Sequence, residues 1–343
     1  MKRQLLVAAG LSVFALGRVE AQGLTTSKCP AGNVGQPIPN SDRAAQDACQ
    51  QAYDVYQFMA PQLGLALAGG NATLGQGSTL GGPGHFSIGV RGNVFQGSLP
   101  DVATYTQSTN GAQSRQLNTK DTWIGLPTAD AAIGIFGGVP LGLTNVGGID
   151  ALVSASYVPS YSNSGSSSSS GFSITPKSSF QFGYGVRVGL LSESIVVPGV
   201  SFTYLKRDLP TTTIVGTSNN NSFQINNLKV ATSAWRVTGS KSFLLFGIAA
   251  GVGKDKYDQS ADISATVTGI PILGSASSTV PNTSQSLDRT NYFVDASLNL
   301  PLFKIVGEVG QVSGGTVNTF NSFSGGRADK DLQYFSLGLR FGL

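Results

Sequence analysis

The chain has 343 residues, a net charge of +4 and only 12% charged residues beside 45 glycines. A soluble globular domain usually carries about twice that charged fraction, and a disordered chain lacks the many Val, Ile, Leu and Phe residues present here. The small net charge gives no reason to expect nucleic acid as a partner. Beyond the first 21 residues, no stretch approaches the roughly 18 continuous apolar residues of a membrane helix.

Residues 1–21 have the layout of a secretory signal peptide. Lys2 and Arg3 precede an apolar run over residues 5–16 that is too short to cross a membrane as a helix. Small residues around Val19–Ala21 supply a cleavage site, so we predict cleavage after Ala21. An uncleaved membrane anchor is the alternative for the same run.

Cysteine and histidine are scarce. Cys29 and Cys49 both lie near the mature N-terminus, and in an exported protein we expect them to form one disulfide. The single histidine, His85, argues against a metal site and against acid–base catalysis. The sequence therefore predicts no catalytic residue, no metal and no cofactor.

Residues 22–84 differ in pattern from the rest of the mature chain. Ser41 is a plausible N-cap, and helical spacing recurs over Ala45, Cys49, Ala52, Tyr56 and Met59. Pro61 and the glycines after it predict the end of a helix of about five turns, followed by a Gly-rich lead at 64–84. Two interpretations stay open: a periplasmic extension under a barrel mouth, or a plug inside the lumen.

Residues 85–343 are predicted to form an all-β, antiparallel transmembrane barrel. Side chains alternate between apolar and polar in ten segments of about the length that crosses a bilayer at a tilt. These segments cover residues 85–96, 129–139, 148–158, 179–190, 200–204, 231–238, 244–255, 289–300, 303–309 and 331–343. Ten strands is the expected number, with eight to twelve as the range.

The predicted links between strands alternate between short and long, as an outer-membrane barrel requires. Short links fall at 140–146, 192–199, 239–242 and 299–302, and long ones at 98–128, 159–178, 208–227, 257–287 and 315–330. If the N-terminus is periplasmic, every short link and the C-terminus are periplasmic as well. The predicted location is the outer membrane, with both termini in the periplasm.

Aromatic residues are expected to form two girdles at the membrane interfaces. The outer girdle comprises Tyr157, Phe180, Tyr204, Tyr292 and Phe335, and the inner one Phe86, Phe243, Phe303 and Phe341. A soluble β-sandwich also has alternating strands, but it explains neither the signal peptide nor the rhythm of short and long links.

The lumen-facing positions carry charges of both signs. They are Arg91, Asp130, Asp150, Arg187, Arg236, Asp255, Arg289, Asp295, Lys304, Glu308 and Arg340. Buried charges need partners or water. They could form an internal ion-pair ladder that fixes the strand register and fills a narrow barrel, or a charged constriction that filters solutes.

The last strand carries the most specific pattern in the chain. Ser336, Gly338, Phe341 and Leu343 follow the spacing polar-x-Gly-x-x-aromatic-x-apolar. This spacing resembles the C-terminal targeting signal of Gram-negative outer-membrane β-barrels, with Leu343 in place of the usual aromatic residue. The resemblance implies two partners, outer-membrane lipid and the barrel-assembly machinery.

The layout of Ser41–Gly84 followed by a barrel also resembles long-chain fatty-acid outer-membrane transporters. The chain lacks the Asn-Pro-Ala-Gly-Leu signature of that family and about four of its strands, so no ligand-binding residue is carried over. The first functional hypothesis is passive transport of small amphipathic or hydrophobic solutes through a narrow lumen. The alternative is a non-conducting barrel that displays long loops for surface interaction.

Overall fold

The computed structural model describes residues 26–31, 39–164, 171–218, 221–270 and 274–342. The predicted signal peptide and Leu343 lie outside the described residues. Among the described residues, no helix is both long enough and apolar enough to cross a membrane.

Ten long strands form a closed antiparallel ring. They are β1 (Phe86–Pro100), β2 (Thr119–Phe136), β3 (Ile149–Tyr157), β4 (Phe180–Leu191), β5 (Gly199–Asp208), β6 (Asn221–Phe243), β7 (Phe246–Ile270), β8 (Gly274–Asn299), β9 (Lys304–Ser313) and β10 (Leu332–Gly342). Each strand pairs with the next one along the chain, and β10 pairs with β1. The predicted all-β barrel of about ten strands is confirmed.

Shorter elements decorate both ends of the ring. At one end, Val139–Leu141 and Thr144–Val146 form a small hairpin. At the other end, a 3₁₀ turn spans Val102–Thr104, and Gln116–Leu117 pairs in parallel with Ser322–Phe323. Three further strands extend the sheet from the N-terminal half of β6: Thr212–Ser218, Gly171–Pro176 and Tyr161–Ser164.

The two ends of the ring differ in their links. One end, which we call the short-turn end, carries the links at 137–148, 192–198, 244–245 and 300–303. We call the opposite end the long-loop end. The predicted long loops at 208–227 and 257–287 are wrong. The short strand Thr212–Ser218 and the start of β6 cover most of the first, and β7 and β8 cover most of the second. In these strand halves the apolar side chains face inward, opposite to the pattern of a membrane strand.

An apolar belt surrounds the outside of the ring next to the short-turn end. On β7, Phe246, Ile248 and Val252 point outward and are 41–63% exposed. Successive side chains of a strand point to opposite faces, so Ala249 between them faces the lumen and is buried. Lys254 is the first charged residue of β7, and it ends the belt on this strand.

One helix, α1 (Asn40–Ala68), fills the interior of the ring. Its 29 residues correspond to roughly 43 Å of length. Inward-facing side chains of the wall bind its backbone: Gln259 of β7 donates to the Ala60 carbonyl, and Asn93 of β1 donates to the Leu65 carbonyl at 3.1 Å. The helix is therefore enclosed by the strands rather than placed under them.

The predicted end of the helix at Pro61 and the predicted N-cap at Ser41 are wrong. Pro39 precedes the first turn, Ser41 lies inside it, and Pro61 lies in the helix interior. An interior proline removes one helical hydrogen bond and normally breaks a helix. Here the surrounding wall supplies packing on every side, and tertiary packing outweighs that local penalty.

The helix runs from the long-loop end toward the short-turn end. Near its start, Ser278 in the far part of β8 donates to the Pro30 carbonyl at 2.9 Å. After Ala68 the chain continues in the same direction and reaches the short-turn end, where His85 precedes β1. Residues 26–31 and Gly342 therefore lie at opposite ends of the ring. The prediction that both termini share one side is wrong for the described chain, because α1 crosses the ring before β1 begins.

Candidate functional site

The candidate site is the interface between the wall and the lumen segment, defined as residues 39–84. We call the part of this segment nearer the long-loop end its upper part and the part nearer the short-turn end its lower part. Covalent and polar contacts fix the upper part to the long-loop end. Cys29 and Cys49 form the predicted disulfide, which ties the first described residues to α1. Asp47 accepts hydrogen bonds from the Ser108 and Gln113 amides at 2.8 and 3.0 Å, and it pairs with Arg115 at 2.9 Å.

A second carboxylate of α1 binds the last loop. Asp54 accepts hydrogen bonds from the Phe320 and Asn321 amides at 3.0 and 2.9 Å and from the Asn321 side chain at 2.7 Å. Burial is the largest influence on this carboxyl, and it raises its pKa to about 6. The loops at 101–118 and 314–331 are thus both attached to α1, and they also contact each other through the parallel strand pair.

Three arginines surround the carboxyl end of α1. Arg91 of β1 donates to the Gly69 carbonyl at 2.6 Å, and Arg236 of β6 donates to the Ala68 carbonyl at 2.6 Å. Arg207 of β5 reaches the Leu67 carbonyl at 3.4 Å. The last carbonyls of a helix lack intrahelical partners and carry about half a negative charge together. We call these three side chains the arginine cluster. They donate hydrogen bonds to the free carbonyls and place positive charge beside the negative end of the helix.

The Gly-rich stretch after α1 is held by acidic side chains of the wall. The Asn71 amide donates to Glu308 at 3.2 Å, and the Gly75 amide donates to Asp295 at 2.9 Å. The Leu80 amide donates to Asp150 at 3.2 Å. Cationic wall side chains therefore bind carbonyls of the segment, and anionic ones bind its amides.

Some of the predicted lumen charges also pair along the wall, and all lie on the inward face. Asp130 pairs with Arg91 at 2.6 Å, and Asp150 pairs with Arg187 at 2.6 Å. Asp255 lies 3.5 Å from Arg236. The other predicted members contact backbone groups or face each other: Arg289 donates to the Lys330 carbonyl, Arg340 to the Leu74 carbonyl, Asp295 lies opposite Glu308, and Lys304 lies opposite Arg340.

Arg207 is a member of this site that sequence reasoning missed. It is 3% exposed and reaches Asp130 at 3.3 Å, across the lumen from β5 to β2. The predicted strand ended at Tyr204, but Ser201, Thr203 and Leu205 set an inward parity that continues to Arg207. Extending the alternation by three residues would have found it.

The predicted girdle and terminal signal occupy the expected faces. The nine girdle aromatics all point outward, and two pairs are in contact, Tyr157 with Phe180 and Phe303 with Phe341. In β10, Ser336 points inward and contacts Asn93 at 3.1 Å, Gly338 points inward, and Phe341 points outward. Recognition of this strand by the assembly machinery stays a prediction.

The lower part of the interface leaves little free space. A cavity of about 20 Å³ lies between Ala72–Leu74 and the wall strands β1, β2 and β10. This is roughly the space of one water molecule. The described residues contain no group of three His, Cys, Asp or Glu side chains placed to hold a metal ion. The arrangement can hold a segment in place by charge and hydrogen bonding, and it offers no nucleophile–base pair among these contacts.

Comparisons with known proteins identify a likeness of fold and no relative by sequence. Neither family models nor curated protein sequences match this chain. In overall structure it is similar to the transport unit of the autotransporter AIDA-I from Escherichia coli, with a TM-score of 0.33 and 8% identity over 86% of this chain and 98% of that one.

It is also similar to the toluene transporter TodX of Pseudomonas putida, with a TM-score of 0.33 and 8% identity over 79% of this chain and 96% of that one. A third similar structure is the toluene transporter TbuX of Ralstonia pickettii, with a TM-score of 0.26 and 13% identity over 79% of this chain and 91% of that one. The closed ring of ten strands, rather than these likenesses, supports the predicted β-barrel. These likenesses carry no information about substrate.

Proposed function

We propose that this protein is an outer-membrane transport barrel whose lumen is closed at rest by its own N-terminal segment. Small solutes pass when the segment shifts away from the lower wall. One observation carries the proposal: the lower part of the segment is held mainly by hydrogen bonds to charged wall side chains, and only a small apolar cluster with Ala72 and Leu80 adds to them. Water and solute can replace such bonds, so this contact can open reversibly.

The membrane location is supported by the outside of the ring. The exposed apolar belt meets lipid favourably, and closed strand pairing leaves no unpaired backbone edge in the hydrocarbon. We place the long-loop end outside the cell and the short-turn end in the periplasm, as in other barrels of this class. Residues 26–31 then lie on the outer side, and the chain after Ala68 points to the periplasm.

The proposed solutes are small and amphipathic or hydrophobic. A path vacated by the segment would have two parts. In its upper part, the wall presents buried apolar side chains such as Tyr257, Ile263 and Val267. In its lower part, the wall presents charged side chains such as Arg91 and Glu308. A solute with an apolar body and a polar end matches both parts in turn.

Planar-bilayer conductance of variants that loosen or lock the segment tests this function. A Cβ added at Gly77 would lie 2.6 Å from the Ser240 amide nitrogen and 2.8 Å from the Gly239 carbonyl carbon, which are backbone atoms that cannot give way easily. Gly77→Val should therefore displace the segment and raise the open time well above that of the wild type. The folded state of each variant is checked by circular dichroism.

A reversible lock makes the matched control. A Cβ added at Gly189 would lie 3.6 Å from the Thr79 Cβ, which is within the roughly 3.5–4.5 Å that a disulfide needs. Gly77→Val with Thr79→Cys and Gly189→Cys should be silent when oxidised and conduct after reduction. Gly77→Val with Thr79→Cys alone controls for reduction of the native disulfide. Equal conductance of the locked and unlocked forms would contradict a moving segment.

A second candidate is a non-conducting barrel for surface interaction. The attachment of two loops to α1 through Asp47 and Asp54 favours it, because it builds a rigid outer surface. Folded Gly77→Val protein that stays silent under all conditions would favour this candidate over transport.

A further inference from the structure

The arginine cluster spans the lumen at the carboxyl end of α1. Arg207 extends from β5 to Asp130 on β2, so its side chain bridges strands three positions apart in the ring. Arg91 reaches the same carboxylate from β1. The carbonyls that the three arginines bind belong to the consecutive residues Leu67, Ala68 and Gly69, which brings the guanidinium groups together at one level.

The arginine cluster forms ion pairs with fewer carboxylates than it has guanidinium groups. Three guanidinium groups share two carboxylates, Asp130 and Asp255, while the nearby Glu308 binds the Asn71 amide. The carboxyl end of α1 supplies the missing negative charge, since its free carbonyls are equivalent to about half an elementary charge. The end of the helix therefore occupies the place that an anion would take among the three side chains.

Two donors of the cluster remain available. Arg91 Nη2 and Arg236 Nε are buried and form no hydrogen bond with the described residues. Guanidinium groups bind carboxylate and phosphate through two parallel N–H donors, whereas a backbone carbonyl offers only one oxygen. A ligand with two or three anionic oxygens would satisfy more of these donors than the helix end does.

We propose that the arginine cluster is an anion-binding constriction, and that the transported solutes carry a carboxylate or phosphate group. This inference rests on the transport function proposed above. An arriving anionic group replaces the carbonyls at the end of α1, so the solute competes with the segment for the same three side chains. Cations meet the three guanidinium groups at this level and pass less readily than anions.

Ion selectivity of the opened channel tests the proposal. The reversal potential of Gly77→Val is measured in a KCl gradient, since Gly77 contacts the wall away from the cluster. We expect chloride to permeate about threefold or more over potassium. Replacing Arg91, Arg207 and Arg236 by Gln in this background should remove the preference, and replacing them by Lys should keep most of it. Lys254→Gln, an outward-facing cation of β7, is the matched control and should change nothing.

The outcomes separate this proposal from the transport function. Conducting channels that prefer potassium, or an anion preference that survives the triple Gln substitution, would overturn the anion site and leave transport intact. If no variant conducts, binding of inorganic phosphate to folded Gly77→Val is measured by calorimetry at constant ionic strength. Binding that is lost in the triple Gln variant supports the anion site without transport, and no binding in either protein overturns it.

Discussion

Strand β7 passes through two regions of the molecule, and its inside–outside pattern reverses between them. In the belt region, from Phe246 to Val252, apolar side chains point outward; Ile248 is 57% exposed there. In the projecting region, from Lys254 onward, polar side chains point outward and apolar ones point inward against α1. Ile263 in this region is completely buried. The neighbouring strands β6 and β8 share the reversal, with Ile225 and Leu287 buried on the inner face.

The proposed membrane location explains the reversal, because the medium outside the ring then sets which face is apolar. Lipid surrounds the proposed belt region and favours apolar side chains there, so the polar residues face the lumen. Water surrounds the projecting region, so its apolar residues cover the helix instead. As a result the wall strands bind the lumen segment in two ways: mainly by apolar packing in the projecting region, where the loops add polar contacts to Asp47 and Asp54, and mainly by charged side chains in the belt region.

The largest expected effect is the loss of one buried charge in the belt region. Asp150 and Arg187 are both fully buried and pair at 2.6 Å. Asp150→Ala leaves the guanidinium without its counter-ion and the Leu80 amide without its acceptor. We expect the free energy of unfolding in lipid vesicles, measured by denaturant titration, to fall by about 3–5 kcal/mol.

Two controls test whether this loss of stability arises from the burial of the unpaired charge rather than from the loss of a charge alone. Asp150→Leu with Arg187→Met removes both charges and should cost much less than the single change. The exposed pair of Lys254 and Asp288 has a similar distance, 3.2 Å, but lies on the outside of the projecting region. Lys254→Ala should cost less than about 1 kcal/mol. Equal losses for the two single substitutions would remove the distinction between the regions.

A charge scan along the outer face of β7 locates the border between the regions. Ile248→Lys puts a charge into the proposed lipid belt and should destabilise the vesicle-bound protein by about 2–4 kcal/mol. Ser264→Lys on the same face of the projecting region meets water and should change stability by about 0.5 kcal/mol or less. Similar losses at both positions would mean that the belt is not surrounded by lipid.

The comparison also explains which parts of the fold could be predicted. Alternation of apolar and polar residues, with the apolar ones assigned to the outside, predicts the centres of the ten strands. It also predicts the inward position of charged pairs such as Asp150 and Arg187. That same pattern assumes lipid outside, so it missed the projecting halves of β7 and β8, where Tyr257 and Ile263 face inward. The predicted loop at 257–287 was the consequence.

The partners of the lumen charges were beyond sequence reasoning for a different reason. Arg91 and Arg236 bind backbone carbonyls of α1, and Glu308 binds a backbone amide. Every residue carries a carbonyl and nearly every residue carries an amide, so no residue type at any spacing reveals the contact. The continuation of α1 past Pro61 was hidden in the same way, because it depends on a wall formed by residues far away in sequence.

The smallest of the expected effects is a pH dependence in the projecting region. Burial raises the pKa of Asp54 from 3.8 to about 6, so the folded state disfavours its ionised form. Stability from this group is fully present below pH 4, is lost as pH rises through about 6, and stays low above that. The difference between the two pKa values corresponds to roughly 2–3 kcal/mol. Burial also raises the pKa of Asp47, so the two carboxyls act in the same direction.

Hydrogen exchange gives a local measure of this effect, because the Phe320 and Asn321 amides donate to Asp54 directly. After correction for intrinsic exchange rates, both amides should be better protected at pH 4 than at pH 7. Asp54→Asn cannot ionise and should flatten the dependence, apart from the share of Asp47. The Asn71 amide, bound to Glu308 in the belt region, reports on the other kind of contact in the same experiment. Protection of the two loop amides that rises from pH 4 to pH 7 would show that their hydrogen bonds to the carboxylate outweigh its burial, and that the projecting region too is held by charge.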